Sequence, residues 1–415
     1  MSSVSASPDH GPCRTGTRLD SDTYAVVRRR AVFDCCKWDV QYEDVATLAP
    51  FPLLLAREAW RQLTDTAAAL ARETRAVEAE LAQRPELHAR LGLPRGIRSA
   101  LRRCGTNGPS AGLARVIRFD FHLTTEGWRI SEANTDVPGG FNEASGLCAL
   151  MAEQYSDVET AGDPTGAYAD ALIAGTRPGA RIALVHATAY SDDHQVMRYL
   201  AQHLERRGAV PILVSPAHIG WNSGYAFLTA AWDKGPLDAL VRFFPAEWLP
   251  NLGWRSGWQT FFSGARTPAS NPATTLLSQT KRLPLVWDEL RTELPTWRRM
   301  LPETCDHRAV PWGCRGDWVL KPALGRVGEG VGLTGVTTDK EWQRIRRDLF
   351  WHRGAWVAQR RFIATPLMTA EGLRYACIGV FTVDERVVGA YGRLATVPLI
   401  DARAQDIAIL VERHA

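Results

Sequence analysis

The chain has 415 residues, 45% of them hydrophobic, enough for a large core and more than one compact unit usually holds, so two or three packed subdomains are expected. Its 49 basic and 45 acidic residues are spread along the whole length, giving a formal net charge of +4 without the basic stripe of a nucleic-acid-binding protein. The eight cysteines form no CxxC pair and no regular spacing, which excludes a zinc ribbon or disulfide framework and reads as reduced thiols in a cytoplasmic protein.

In chain order, residues 1–21 are rich in Ser, Pro and Asp and lack the apolar stretch of a signal peptide, so a disordered tail is expected there. No later run reaches the roughly 18 consecutive apolar residues of a membrane span. From about Pro52 to Leu91, Leu54, Leu55, Trp60, Leu63, Ala67, Leu70, Val77 and Leu81 recur at three- and four-residue steps, predicting long helices with one apolar face. After Gly112 the period changes: the runs 114–123 and 127–134 predict two strands joined by a turn at 124–127, a β-hairpin. The runs at 181–186 and 210–214 flank a helical stretch, Asp193–Arg207, closed by Gly208, which describes a βαβ unit with parallel strands. The segment 215–272 is rich in Trp, Gly and Pro, with a short strand at 240–244. Its Trp221, Trp232, Trp248, Trp254 and Trp258 are candidates to shape an acceptor pocket, although aromatic residues more often serve as core or lining than as ligands. From Asn271 the chain reads as helical through Leu290. A strand at 318–322 then enters the glycine-rich turn 325–332, and strands follow at 355–359, 373–383 and 387–391.

Three segments carry chemistry. Arg118-Phe-Asp120-Phe-His and Ser131-Glu132-Ala-Asn134 place Asp120, Glu132 and Asn134 two apart on paired strands, so that three oxygen donors share a face. Hard Mg²⁺ takes such a set beside a triphosphate, and Arg118 adds a fork for the transferring phosphoryl group. The same spacing also describes a polar hairpin exposed to water. In the second segment Lys321 ends a strand ahead of Gly325, Gly328 and Gly330, which suits a lysine on phosphates under a flexible loop, though neither a Walker A motif nor a Rossmann fingerprint is present. Only five lysines occur in the chain, Lys37, Lys234, Lys281, Lys321 and Lys340. A lysine kept where arginine is the rule points to a need for a compact ammonium. The third segment places Lys281 on the expected helix about 40 positions earlier.

An Arg-x-Asp strand, a Glu-x-Asn strand, a lysine-bearing helix and a Lys-Pro before a Gly-rich loop, in this order, resemble the synthetase part of glutathionylspermidine synthetase and its relatives. These are circularly permuted ATP-grasp ligases, in which the metal-binding residues precede both ATP lysines. The resemblance implies a mixed α+β and α/β ATP-grasp fold with a Rossmann-like pre-ATP-grasp subdomain. Its expected divisions are a helical region plus metal-binding hairpin over 22–175, the Rossmann-like substrate subdomain over 176–270, and the ATP-binding lysines, lid and hinge over 271–415. It implies Mg²⁺ contacts from Asp120, Glu132 and Asn134 and phosphate contacts from Arg118, Lys281 and Lys321. It also implies a lid at Gly325–Gly330, an adenine hinge at Gln359 and a late phosphate arginine at Arg393. The activity implied is amide-bond formation between a peptide-like or small-molecule carboxylate and an amine through an acyl phosphate, with ATP and Mg²⁺ as cofactors. Nothing matches the amidase that accompanies bifunctional members, so hydrolysis of the product is not expected. An ATP-grasp kinase and a non-catalytic ATP-binding scaffold are the alternatives that the same motifs leave open, as is a homodimer.

Overall fold

The computed structural model describes residues 11–42, 45–103, 112–325, 328 and 330–413. Its centre is an antiparallel sheet in which the hairpin strands Val116–Thr124 and Gly127–Asn134 lie at one side and Gly372–Val383 pairs with the first of them. Arg386–Ala395 and Gln405–Ile407 continue the sheet outward. The alternation of a pleated strand sorts the hairpin: Ile117, Phe119, Phe121, Ile130 and Ala133 enter the main core, while Arg118, Asp120, His122, Glu132 and Asn134 face a cavity. The helix Arg57–Ala82 buries Leu63, Ala67, Leu70, Ala71, Val77 and Leu81 in the same core. Each fully buried leucine contributes about 2 kcal/mol of transfer free energy to holding that face down.

A second antiparallel sheet sets Trp318–Pro322 between Trp356–Arg360 and Gly332–Leu333, with Thr304–Asp306 at its edge. The third sheet is parallel. Arg181–Val185 pairs with Val210–Val214 through the helix Ser191–Glu205, and on its other side with Ala239–Arg242, which pairs with Ala269–Ser270. A fully buried ion pair ties this sheet to the hairpin: Arg242 donates to Asp136 Oδ1 at 2.5 Å, to Asn271 O and to Phe244 O, and Asp136 Oδ2 accepts from Ala246 N. Each nitrogen of that guanidinium has a fixed acceptor, so the chain just after the hairpin is anchored against the parallel sheet.

Several expectations give way here. Residues 13–15, placed in the disordered tail, form a strand, Cys13–Thr15, paired with Leu53–Leu55. Leu53–Leu55 is in turn parallel to Ile409–Glu412, so one small sheet gathers both ends of the described chain. This edge strand is short and polar on one side, and its register comes from a distant partner that local composition does not reveal. For the same reason the predicted helix start near Pro52 moves to Arg57: Leu53–Leu55 are wholly buried in the sheet. The stretch 271–290 is a broken series, a 3₁₀ turn at Ala273–Thr275, one α-turn at Leu276–Gln279 and another 3₁₀ segment at Leu283–Glu289. Pro272 and Pro284 cannot donate helical hydrogen bonds, and Thr280 turns extended, so Lys281 leaves the helix that the spacing assigned to it. Among the described residues no helix is long and apolar enough to cross a membrane.

Candidate active site

A cavity of about 660 Å³ runs between the central sheet, the second sheet and the parallel sheet. Arg118, Asp120, Glu132, Asn134, Lys281, Lys321, Gly325, Gly328, Gln359 and Arg393 all line it; Gly330 does not. Its two ends differ in chemistry.

At one end the hairpin register brings Asp120 opposite Glu132 and Arg118 opposite Asn134. Arg118 closes on Asp120 with both oxygens, Nε at 2.7 Å and Nη2 at 3.0 Å, and gives Nη1 to Gly139 O. The fork assigned to a phosphoryl group is therefore engaged by a carboxylate. Its aliphatic stem passes over Gly379, where an added Cβ would lie 2.8 Å from Arg118 Cδ, and its head sits 5.4 Å from the ring of Tyr391. Asn134 Nδ2 donates to Asp120 Oδ2 at 3.0 Å. Lys281 Nζ bridges Glu132 Oε2 and Gly325 O, each at 2.8 Å. The buried Lys321 donates to Gln359 Oε1 at 2.7 Å and to Ser131 O at 3.1 Å. Gln359, expected as a backbone hinge for adenine, turns its side chain inward to hold that lysine. Its own Nε2 rests on Thr304 Oγ1.

The electrostatics follow from this crowding. Burial alone would raise the Glu132 carboxyl, but Lys281 and then Lys321 outweigh it and hold the group well below the usual carboxylate range. Burial pushes Lys321 down to about 8, against the opposing pull of Glu132. Burial, reinforced by Lys321, pushes His122 down to about 4, so its ring is a neutral hydrogen-bonding partner of Ser131 Oγ.

Among the described residues no three His, Cys, Asp or Glu side chains are placed together as a metal site. The candidate donors are two carboxylates and one amide, Asp120, Glu132 and Asn134. Facing the cavity from paired positions, they are hard oxygen ligands of the kind Mg²⁺ takes while keeping waters and phosphate oxygens, so they fit that ion. Gly328, whose φ is +69°, packs closely on Ile400 and Asp401: a Cβ there would lie 2.4 Å from Ile400 O. Arg326, Val327 and Glu329 of that loop lie outside the described residues.

At the other end sits a group that the sequence reading did not assemble. Lys37 Nζ lies 2.9 Å from Asp39 Oδ1, 2.5 Å from Glu143 Oε1 and 2.8 Å from Asp406 Oδ2. Asp192 and Asp193 line the same end. Arg393 stands between the two ends, donating Nη2 to Asp401 O and holding Nε 3.9 Å from Asp406. Lysine scarcity was the one available signal for Lys37. Of the tryptophans offered as an acceptor pocket only Trp248 lines the cavity. Trp221 packs edge-on to Phe261 and Trp258 to Phe262 in the core, while Trp232 and Trp254 are exposed.

Residues 53–411 match the family described as glutathionylspermidine synthase preATP-grasp. The chain belongs to that family. Membership makes it an ATP-grasp-type ligase related to glutathionylspermidine synthase. The fold of this glutathionylspermidine synthase-family chain is similar to that of a glutathione synthetase-like effector from Globodera pallida in its apo form. The identity is 13% over 94% of this chain and 96% of that one, with a TM-score of 0.65. A putative gamma-glutamylcysteine synthetase from Methylobacillus flagellatus KT overlaps more loosely, at 13% identity over 82% and 86% of the two chains and a TM-score of 0.45. No curated protein matches the chain. For this member of the glutathionylspermidine synthase family, the matched segment contains every residue of the first end of the cavity but begins after Lys37 and Asp39.

Proposed function

We propose that the protein joins a carboxylate to an amine at the expense of ATP, through an acyl phosphate. The observation that carries this reading is the convergence of Arg118, Lys281 and Lys321 on Asp120, Glu132 and Asn134 at one end of a cavity whose other end is acidic. Asp120, Glu132 and Asn134 would hold Mg²⁺, which neutralises phosphate charge when bound. Lys281 and Lys321 would exchange Glu132, Gly325 O and Gln359 for phosphate oxygens. Because they are already desolvated, that exchange needs little reorganisation. Arg118, locked by Asp120 and Gly139, orients the carboxylate beside it. The substrate carboxylate attacks the terminal phosphorus, ADP leaves, and an amine then displaces phosphate from the acyl carbon. No protein nucleophile is required, and positioning supplies the catalysis.

Asp39, Glu143, Asp192, Asp193 and Asp406 favour a cationic acceptor over the hydroxyl acceptor of a kinase. A phosphate-release screen with pooled carboxylates and amines, followed by mass spectrometry, tests the assignment. A product weighing the acid plus the amine less water supports it. A phosphorylated substrate with no amine incorporated would instead make the protein a kinase.

A further inference from the structure

The acidic end is organised around one ammonium. Lys37 is 2% exposed, and its three carboxylate partners come from three places: Asp39 two residues on, Glu143 on the π-helical turn Asn142–Leu147, and Asp406 on the outer strand of the central sheet. Its backbone is pinned, since Lys37 N donates to Ala31 O and the following Trp38 N donates to Gln195 Oε1 at 2.6 Å. Gln195 Nε2 in turn holds Asp39 Oδ1 at 2.8 Å. An ammonium has three N–H groups, and Lys37 places one near each carboxylate, so its donors are used up while the acceptors are not. Glu143 Oε2 is buried with no hydrogen-bond partner among the described residues, on a side chain that lines the cavity. Three carboxylates face one lysine, and of the three Arg393 approaches Asp406, at 3.9 Å. The charge left over calls for one more cation, and the position central to all three carboxylates is already filled.

We propose that Lys37 is a specificity-determining residue: a built-in ammonium that occupies the innermost amine position and restricts the acceptor to molecules presenting a single ammonium group at this end. This rests on the ligase reading above. An acceptor ammonium settles against the cavity-facing side of the three carboxylates, drawn by a charge to which the buried Glu143 Oε2 contributes. The far ammonium of a diamine meets Lys37 where it needs a carboxylate, and like charges this close repel. Lysine serves here where arginine would not, because three carboxylates around a point suit a compact ammonium and not a planar fork.

The test compares cadaverine, which carries the lysine side chain's own ammonium at one end, with n-pentylamine as binding probes for the full chain by titration calorimetry. Wild type is expected to bind the diamine no better than the monoamine. In Lys37→Ala the vacated place accepts the second ammonium, and cadaverine affinity rises about tenfold or more while n-pentylamine changes little. Lys37→Met, which keeps the stem and removes the charge, is expected to gain less. A folded Lys37→Ala with the wild-type ratio of the two affinities overturns the proposal, as does a wild type that already prefers cadaverine. Where Lys37→Ala is poorly folded, thermal melts decide: cadaverine must raise its midpoint more than n-pentylamine does, and an equal effect counts against the idea. Mg-ATP affinity measured on the same samples separates the two claims. Wild type that ignores Mg-ATP sinks the ligase reading, whereas the probe ratio speaks to Lys37 alone.

Discussion

The two ends of the cavity are built from the same kinds of side chain in opposite proportion. At the hairpin end Arg118, Lys281 and Lys321 surround two carboxylates, Asp120 and Glu132; at the far end one lysine serves three, Asp39, Glu143 and Asp406. Each end keeps its surplus sign close to partners of the other sign or to fixed dipoles. On the proposed reading, phosphate would displace a carboxylate or carbonyl from a lysine at one end, and an ammonium would add to the carboxylates at the other. The imbalance at each end, more than any single residue, is what the proposed ligand assignment rests on.

The comparison breaks most visibly if the carboxylates of the cation-rich end prove to be mere counterions. Glu132→Gln and Asp120→Asn are each expected to lower turnover by about 10²-fold or more, with melting in the absence of nucleotide nearly unchanged. The double variant should be little worse than the poorer single, because residues acting as one unit are not additive. Steady-state rates with thermal melts check this, and a melt lowered by several degrees at normal magnesium dependence would make the hairpin structural. Next in size, Lys321→Met is expected to weaken Mg-ATP about 10- to 100-fold, the worth of one charge-assisted hydrogen bond in a desolvated site. Titration calorimetry reads it directly. Asp406→Asn sharpens the contrast from the other side. It should raise the KM for the amine about tenfold and leave Mg-ATP affinity within a factor of about two; equal losses on both substrates would mean that the ends are not separable.

The smallest effect is in pH. Lys321 titrates near 8 in the folded protein, below the value of a free lysine, so its burial costs stability below pH 8, and stability rises with pH from about 8 up to the free lysine range. Phosphate oxygens favour the charged form. Mg-ATP binding at pH 8.5–9 should therefore take up a proton, and affinity should fall as pH climbs through about 8. Calorimetry in buffers of different ionisation enthalpy measures that uptake.

The cation-rich end was legible because a hairpin writes its geometry in sequence. Arg118, Asp120, Glu132 and Asn134 are two apart on strands joined by a short turn, and pleating alone puts them on one face. Lys321 before its glycines was similarly local. The acidic end was not legible, since Lys37, Glu143 and Asp406 meet only through tertiary packing across more than 360 residues of chain. Local pattern also failed at Lys281, where prolines and an extended Thr280 overrode an apolar rhythm. It failed again at Trp221 and Trp258, whose aromatic richness served the core. In each case the deciding term was a partner far along the chain.

The π-helical turn at Asn142–Leu147 carries a further consequence. Such a turn holds one residue more than an α-helix would, and it follows the hairpin strand that ends at Asn134 after an irregular stretch over 135–141. Removing one residue there would let the turn relax to α geometry and swing Glu143 by about 100° around the axis, off the cavity wall. The register of Asp120 against Glu132, set upstream in the sheet, would not move. That turn is thus a seam at which, on the proposed reading, a single deletion would alter the acceptor end of the cavity and leave the paired hairpin residues in step.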